Sequence, residues 1–221
     1  MIPLRDSIRS HRFPYVNVAL IVLNMAVFVY QSTLTREQLV EVFRTFGLIP
    51  LAFTAGPVIP AGTLVTSVFL HGSLLHLGGN MLYLWVFGDN IEDRVGHLRY
   101  LLFYLAGAVA AAAAHIVANP ASRIPTIGAS GAVAAVLGAY LLKFPRSRVL
   151  ALVPIFFFVT IARLPAILFL GLWFVLQVLN AGAAQGAQLV AWWAHIGGFV
   201  AGVLLIMLFP AQIHNRGDRI G

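Results

Sequence analysis

The 221-residue chain contains no cysteine, which excludes disulfide bonds and thiol catalysis. Charge is nearly as scarce. Lys, Arg, Asp and Glu make up 10% of the residues, against about 25% in an ordinary soluble domain. Only seven residues are acidic. No HExxH pattern is present either, so no metal and no cofactor are expected. Repeats and low-complexity tracts are also missing, and residues 1–221 read as a single domain. What remains is apolar: 60% of residues are hydrophobic and the mean hydropathy is +0.91. A soluble fold of this size cannot hide so much apolar surface, so the solvent is lipid. The net charge of +7 would suit nucleic acid. The basic residues, however, sit at the ends of apolar blocks, which is a sign of membrane topology.

A membrane span needs about 20 residues. Candidate spans are Phe13–Tyr30, Leu64–Phe87, Arg99–Ala118, Ile127–Phe144 and Leu189–Phe209. Val149–Leu179 is too long for one span and is interrupted by Pro154, Arg163 and Pro165. We read Val149–Ala162 as an interfacial connection and place the fifth span from about Pro165 to Asn180. With six spans and a cytoplasmic N-terminus, eleven Lys and Arg residues lie inside; only Arg36, Arg44 and Arg123 lie outside. The positive-inside bias supports that orientation, with both termini cytoplasmic. Arg5, Arg9 and Arg12 lead into the first block without a small-residue cleavage site, so no removable signal is expected.

Polar residues inside spans are functional hypotheses by default. The second span carries His76 and Asn80, four apart and so on one helix face. The fourth opens with Gly128-Ala129-Ser130-Gly131, and the sixth carries His195 near its outer end. At about 1.5 Å per residue, His76, Ser130 and His195 each lie roughly 20 Å above the cytoplasmic edge. Asn80 lies about one turn deeper. Small residues would let the fourth and sixth helices touch: Gly131, Ala134, Ala135 and Gly138 on one, Gly198 and Gly202 on the other. His195 would then stand beside Ser130 as its general base. All seven carboxylates are assigned to loops or termini, which leaves a Ser–His dyad without an acidic third member. Asn80, His76 and the free N–H groups at the start of the fourth helix are candidate oxyanion donors.

The stretches "FLHGSLLHLGGNMLYLW", "GASGAV" and "AHIGGFVAG" together resemble the rhomboid family of intramembrane serine proteases. The resemblance covers spans two to six, in the family's order. It implies an all-α polytopic membrane protein, a six-helix rhomboid-like bundle. It implies cleavage of a peptide bond in or beside a transmembrane segment of another protein, either a single-span substrate or another membrane protein. It implies Ser130 as nucleophile, His195 as base, and His76 and Asn80 as oxyanion contributors. The chain departs from many members in lacking a Trp-Arg pair within Leu51–Thr63. A bacterial inner membrane fits the short chain, and no nucleic-acid partner is expected.

Two other classes fit the sequence less well. A catalytically dead relative that escorts membrane proteins should have lost Ser or His, and both are present. A small transporter would often show inverted repeats, and none is visible. Among the remaining polar residues, His71 is expected near the surface holding water. His115 is expected to be structural without an obvious partner. Asp89, Glu92, Asp93 and Arg94 are expected in a cytoplasmic loop, and Trp192 and Trp193 at the interface. The first outer loop is expected to be largely irregular. Asn180–Gln188 is expected to form a lid, and the fifth span a lateral gate.

Overall fold

The computed structural model describes residues 1–55, 60–155, 158–183 and 190–210. In chain order the elements are β1 (Ile2–Asp6), α1 (Tyr15–Ser32), α2 (Arg36–Phe46), α3 (Pro50–Thr54), α4 (Thr63–Thr66), a 3₁₀ turn (Ser67–Phe69), α5 (Leu74–Val95), α6 (His97–Ala118), α7 (Ser130–Lys143), β2 (Arg148–Ile155), β3 (Phe158–Pro165), α8 (Ala166–Ala183) and α9 (Trp192–Leu205). Three helices, α1, α6 and α8, are long and apolar enough to cross a membrane. The shorter α7 and α9 are equally apolar. Many large apolar side chains on the outer faces are exposed, among them Val29, Leu102, Ile167 and Leu168. This is the surface of a membrane protein.

The central element is α7. Every residue from Gly131 to Tyr140 on it is buried. That is possible because six of these ten residues are Gly or Ala, which admit other backbones closely. A Cβ on Gly198 of α9 would collide with the carbonyl of Gly131, and one on Gly202 with the carbonyl of Ala135. The expected pairing of the fourth and sixth helical segments is therefore present, in backbone contact at two levels one turn apart.

A three-stranded antiparallel sheet, in the order β1-β2-β3, corrects the all-α expectation. The segment expected as an interfacial connection, Val149–Ala162, supplies most of two antiparallel strands, β2 and β3, with pairs running from Arg148–Pro165 to Ile155–Phe158. Its residues are rich in Val, Ile and Phe, which fit a pleated surface better than a helix. Val149 and Ala151 alternate into the core, both fully buried. β1 completes the sheet by pairing Ile2 to Asp6 with Leu152 to Val149. Asp6 also accepts hydrogen bonds from Tyr140 and, at 3.0 Å, from Asn90. Burial pushes its carboxyl up to about 6, against the opposing effect of the Tyr140 bond and helped by the nearby Asp89.

The second expected span is shifted. Leu64–Phe87 is divided by α4, the 3₁₀ turn and an extended Leu70, and the long helix begins only at Leu74 behind the Ser73 N-cap. It continues to Val95, so Asp89, Glu92 and Asp93 are helical rather than looped. The carboxylate of Glu92 is buried and caps α1 across the helix interface. Its two oxygens accept the N–H groups of Val16 (2.9 Å) and Asn17 (2.7 Å). Pro14 offers α1 no side-chain cap, so Glu92 supplies the acceptor that the first turn needs. The segment between α1 and α5 is also more helical than expected. Thr35 and Gln38 form a reciprocal capping box that starts α2. The expectation of an irregular chain at Gly56 and Pro57 lies outside the described residues.

Candidate active site

A cavity of about 1100 Å³ lies between α5, α7, α8 and α9. His76, Asn80, Ser130 and His195, all four of the residues singled out from the sequence, line it. His195 Nε2 is 2.8 Å from Ser130 Oγ. The helix contact explains the placement. Gly198 and Gly202 lock α9 onto α7, and His195 lies one turn before Gly198 on the same face. Among the described residues no carboxylate bonds His195. Its Nδ1 instead lies 2.8 Å from Oε1 of Gln177 on α8.

Ser130 is the first residue of α7, where N–H groups have no intrahelical acceptor. The segment leading to it is held at three points. Thr126 exchanges two backbone hydrogen bonds with Leu48, at 2.7 and 3.0 Å. The Gly128 N–H donates to the Ser67 carbonyl at 2.9 Å. The Thr126 hydroxyl lies 2.9 Å from His115 Nε2. Gly128 has φ +119°, and a Cβ there would lie 2.7 Å from His76 Nε2 and 3.6 Å from Asn80 Nδ2. A side chain at this position is therefore excluded twice, by backbone strain and by the space that His76 needs.

Asn80 is buried, and its Nδ2 lies 3.0 Å from His71 Nε2. The His71 and His76 rings meet edge to face at 5.0 Å. His71 is only 1% exposed, which corrects its expected place near the surface. Gln31 on α1 grips its backbone from both sides, donating to its carbonyl (3.0 Å) and accepting its N–H (3.1 Å). His71 Nδ1 has no partner among the described residues.

Three further expectations change. His115 lines the cavity and bonds Thr126, so it supports the segment before Ser130 rather than standing alone. Trp192 also lines the cavity, with its ring perpendicular to that of His195 at 6.0 Å. It is a wall of the site; Trp193 is the partly exposed neighbour. Asn180 to Ala183 end α8 rather than beginning a lid, and residues 184–189 lie outside the described residues. Among the described residues, no three His, Asp or Glu side chains converge to hold a metal ion.

Gln177 was not foreseen. A signal for it existed. It lies twelve residues after Pro165, about 18 Å up the helix, close to the level inferred for Ser130.

Comparison with known proteins identifies the family of the chain. The family model described as the rhomboid domain matches residues 61–212, more than half of the chain. The bovine presenilin-associated rhomboid-like protein, mitochondrial, is 30% identical over 159 residues, which span 70% of this chain and 40% of that protein. Rhomboid protein 1, mitochondrial, of Saccharomyces cerevisiae is 32% identical over 165 residues, 71% of this chain and 44% of its own length. The rhomboid protease GluP of Bacillus subtilis is 41% identical over 78 residues, 35% of this chain and 15% of its own. The chain thus matches less than half the length of these relatives. The two longer matches bear mitochondrial names and lend no support to the bacterial inner membrane expected above.

Proposed function

The chain belongs to the rhomboid family, and on that premise we propose that it is an intramembrane serine endopeptidase that cuts other membrane proteins in or beside a transmembrane segment. The observation that carries this reading is the 2.8 Å contact between Ser130 Oγ and His195 Nε2 at the wall of a large cavity. His195 takes the proton from Ser130 as its oxygen attacks the scissile carbonyl. The imidazolium then returns the proton to the leaving amine, and water repeats the sequence to release the acyl group. The oxyanion is met by donors from two directions: the first-turn N–H groups of α7, and the Asn80 amide beside His76.

The same reading takes α1, α5, α6, α7, α8 and α9 as six spans of one domain covering residues 1–221, with Arg5, Arg9 and Arg12 on the cytoplasmic side. Its fourteen residues make α7 about 21 Å long, shorter than the ~30 Å hydrocarbon core. With Lys143 at the inner interface, Ser130 lies below the outer one, and water reaches it through the cavity above. Substrate arrives from lipid between α5 and α8. These helices touch through Phe169, stacked on Tyr83 at 6.4 Å, while higher residues of both line the cavity.

Incubating the purified protein in lipid with a panel of single-span proteins, and mapping products by mass spectrometry, tests the proposal. The expected result is a discrete cut that the Ser130→Ala variant does not make. A cut of equal rate by Ser130→Ala refutes it. The retained Ser and His favour this reading over a non-catalytic escort role.

A further inference from the structure

His195 has a second partner, and the chemistry of that partner decides which ring nitrogen carries the proton. Gln177 is buried at 7% exposure. Its Nε2 donates to the carbonyl of Trp173, one turn earlier on α8, at 3.0 Å. Its Oε1 lies 2.8 Å from His195 Nδ1. A carbonyl oxygen accepts and never donates, so the NH₂ end of the amide must face Trp173. The oxygen end therefore faces the imidazole, and it too can only accept. Nδ1 must carry a hydrogen. In the neutral ring the lone pair then sits on Nε2, directed at Ser130 Oγ 2.8 Å away.

Building on the dyad reading, we infer that Gln177 is a positioning residue for the reaction, filling by an amide the place that a carboxylate holds in a Ser-His-Asp triad. It selects the tautomer of His195 that can take the serine proton. It keeps its bond to Nδ1–H when Nε2 gains that proton, so the imidazolium is met by the negative end of a fixed dipole. An amide stabilises that cation less than a carboxylate would. It also costs far less to bury in a lipid-enclosed site when no cation is present. The Trp173 ring, 6.0 Å from that of His195 and lying at 34° to it, bounds the imidazole on the same side.

Gln177→Met preserves length and removes both polar atoms; Gln177→Glu, as the neutral acid, can accept from Nδ1–H and donate to the Trp173 carbonyl. In Gln177→Met, kcat should fall by roughly 10²-fold, the lower end of what a positioned general base contributes, with KM little changed. In Gln177→Glu most of that loss should be recovered. ¹⁵N spectra of labelled histidine should show His195 as the Nδ1–H tautomer in wild type and Gln177→Glu, and a mixture with the Nε2–H form in Gln177→Met. Wild-type kcat in Gln177→Met, or an unchanged tautomer, overturns the inference, as does equal loss in both variants. The tautomer is read without any substrate, so this outcome is separate from failure of the protease reading, which is tested by Ser130→Ala.

Discussion

Ser130 Oγ and His195 Nε2 are 2.8 Å apart although 65 positions separate them in the chain. In the proposed reaction a single proton transfer joins them, so Ser130→Ala and His195→Ala should each abolish cleavage while the protein still folds. The double variant should be little worse than either single one, because residues that act as a unit are not additive. Single-turnover assays on the three variants check this. Two independent losses that multiply would separate the residues.

Asn80 acts on the transition state in this reading. Asn80→Ala should lower kcat by about 10²-fold or more, as loss of an oxyanion donor does elsewhere, and KM should move less. His76→Ala should behave likewise but more weakly. Steady-state kinetics decide the matter: a change confined to KM would make Asn80 a binding or packing residue. Gly128→Ala should resemble the His76 variant, since its Cβ would displace that ring.

Gly198→Val and Gly202→Val should lower both thermal stability and activity. Each new side chain meets a backbone carbonyl of α7, which cannot rotate aside, so the loss should exceed the ~1–3 kcal/mol of ordinary overpacking. Thermal melts in detergent alongside cleavage rates check this. Wild-type melting in both would contradict the helix contact.

Asp6 gives a pH dependence of known sign. Its carboxyl is raised in the folded state to about 6 from an ordinary value of 3.8. The folded state therefore holds the proton more tightly between these values, and stability falls as pH rises through that window. Asp6→Asn should remove this component. Relative to that variant, wild type should lose stability as pH rises from 3.8 to about 6. Parallel melting curves across the range would show that Asp6 does not titrate there.

Access can be tested at α8. Phe174 stacks on Phe199 at 4.6 Å and does not line the cavity, so Phe174→Ala should loosen α8 and raise cleavage of transmembrane substrates. Trp173 is unsuitable for this purpose, because its ring also bounds His195. With no native cysteine, a single engineered disulfide between the outer halves of α5 and α8 should suppress cleavage, and reduction should restore it. Full activity with the crosslink formed would move the substrate path elsewhere.

The common level of Ser130, His195, His76 and Asn80 was legible because helical rise is constant and Gly spacing marks which helices touch. Gln177 was not read, because helix rotation about its own axis decides whether a polar residue in "LWFVLQVLN" faces a neighbour or lipid. Contacts with Phe199 and His195 fix that rotation. The sheet was hidden for another reason. From Val149 to Val153 the residues are all apolar and carry no polar alternation, so the inward direction of Val149 and Ala151 could not be read from the segment itself. Glu92 reads as a loop residue in its own segment because its burial is offset only by partners on α1.

The sheet also sets a timetable for assembly. β1 is made first, but β2 follows only after α7, and the Asp6–Tyr140 bond joins residues 134 positions apart. At roughly 5–20 residues per second, β1 waits about 7–30 s on the ribosome's clock for its partner strand. Closing so long a loop is a late, non-local event. α1, α5, α6 and α7 are therefore all made before the strap can be fastened. Blocking β1 should leave a helical, inserted protein whose β2–β3 pair lacks its third strand.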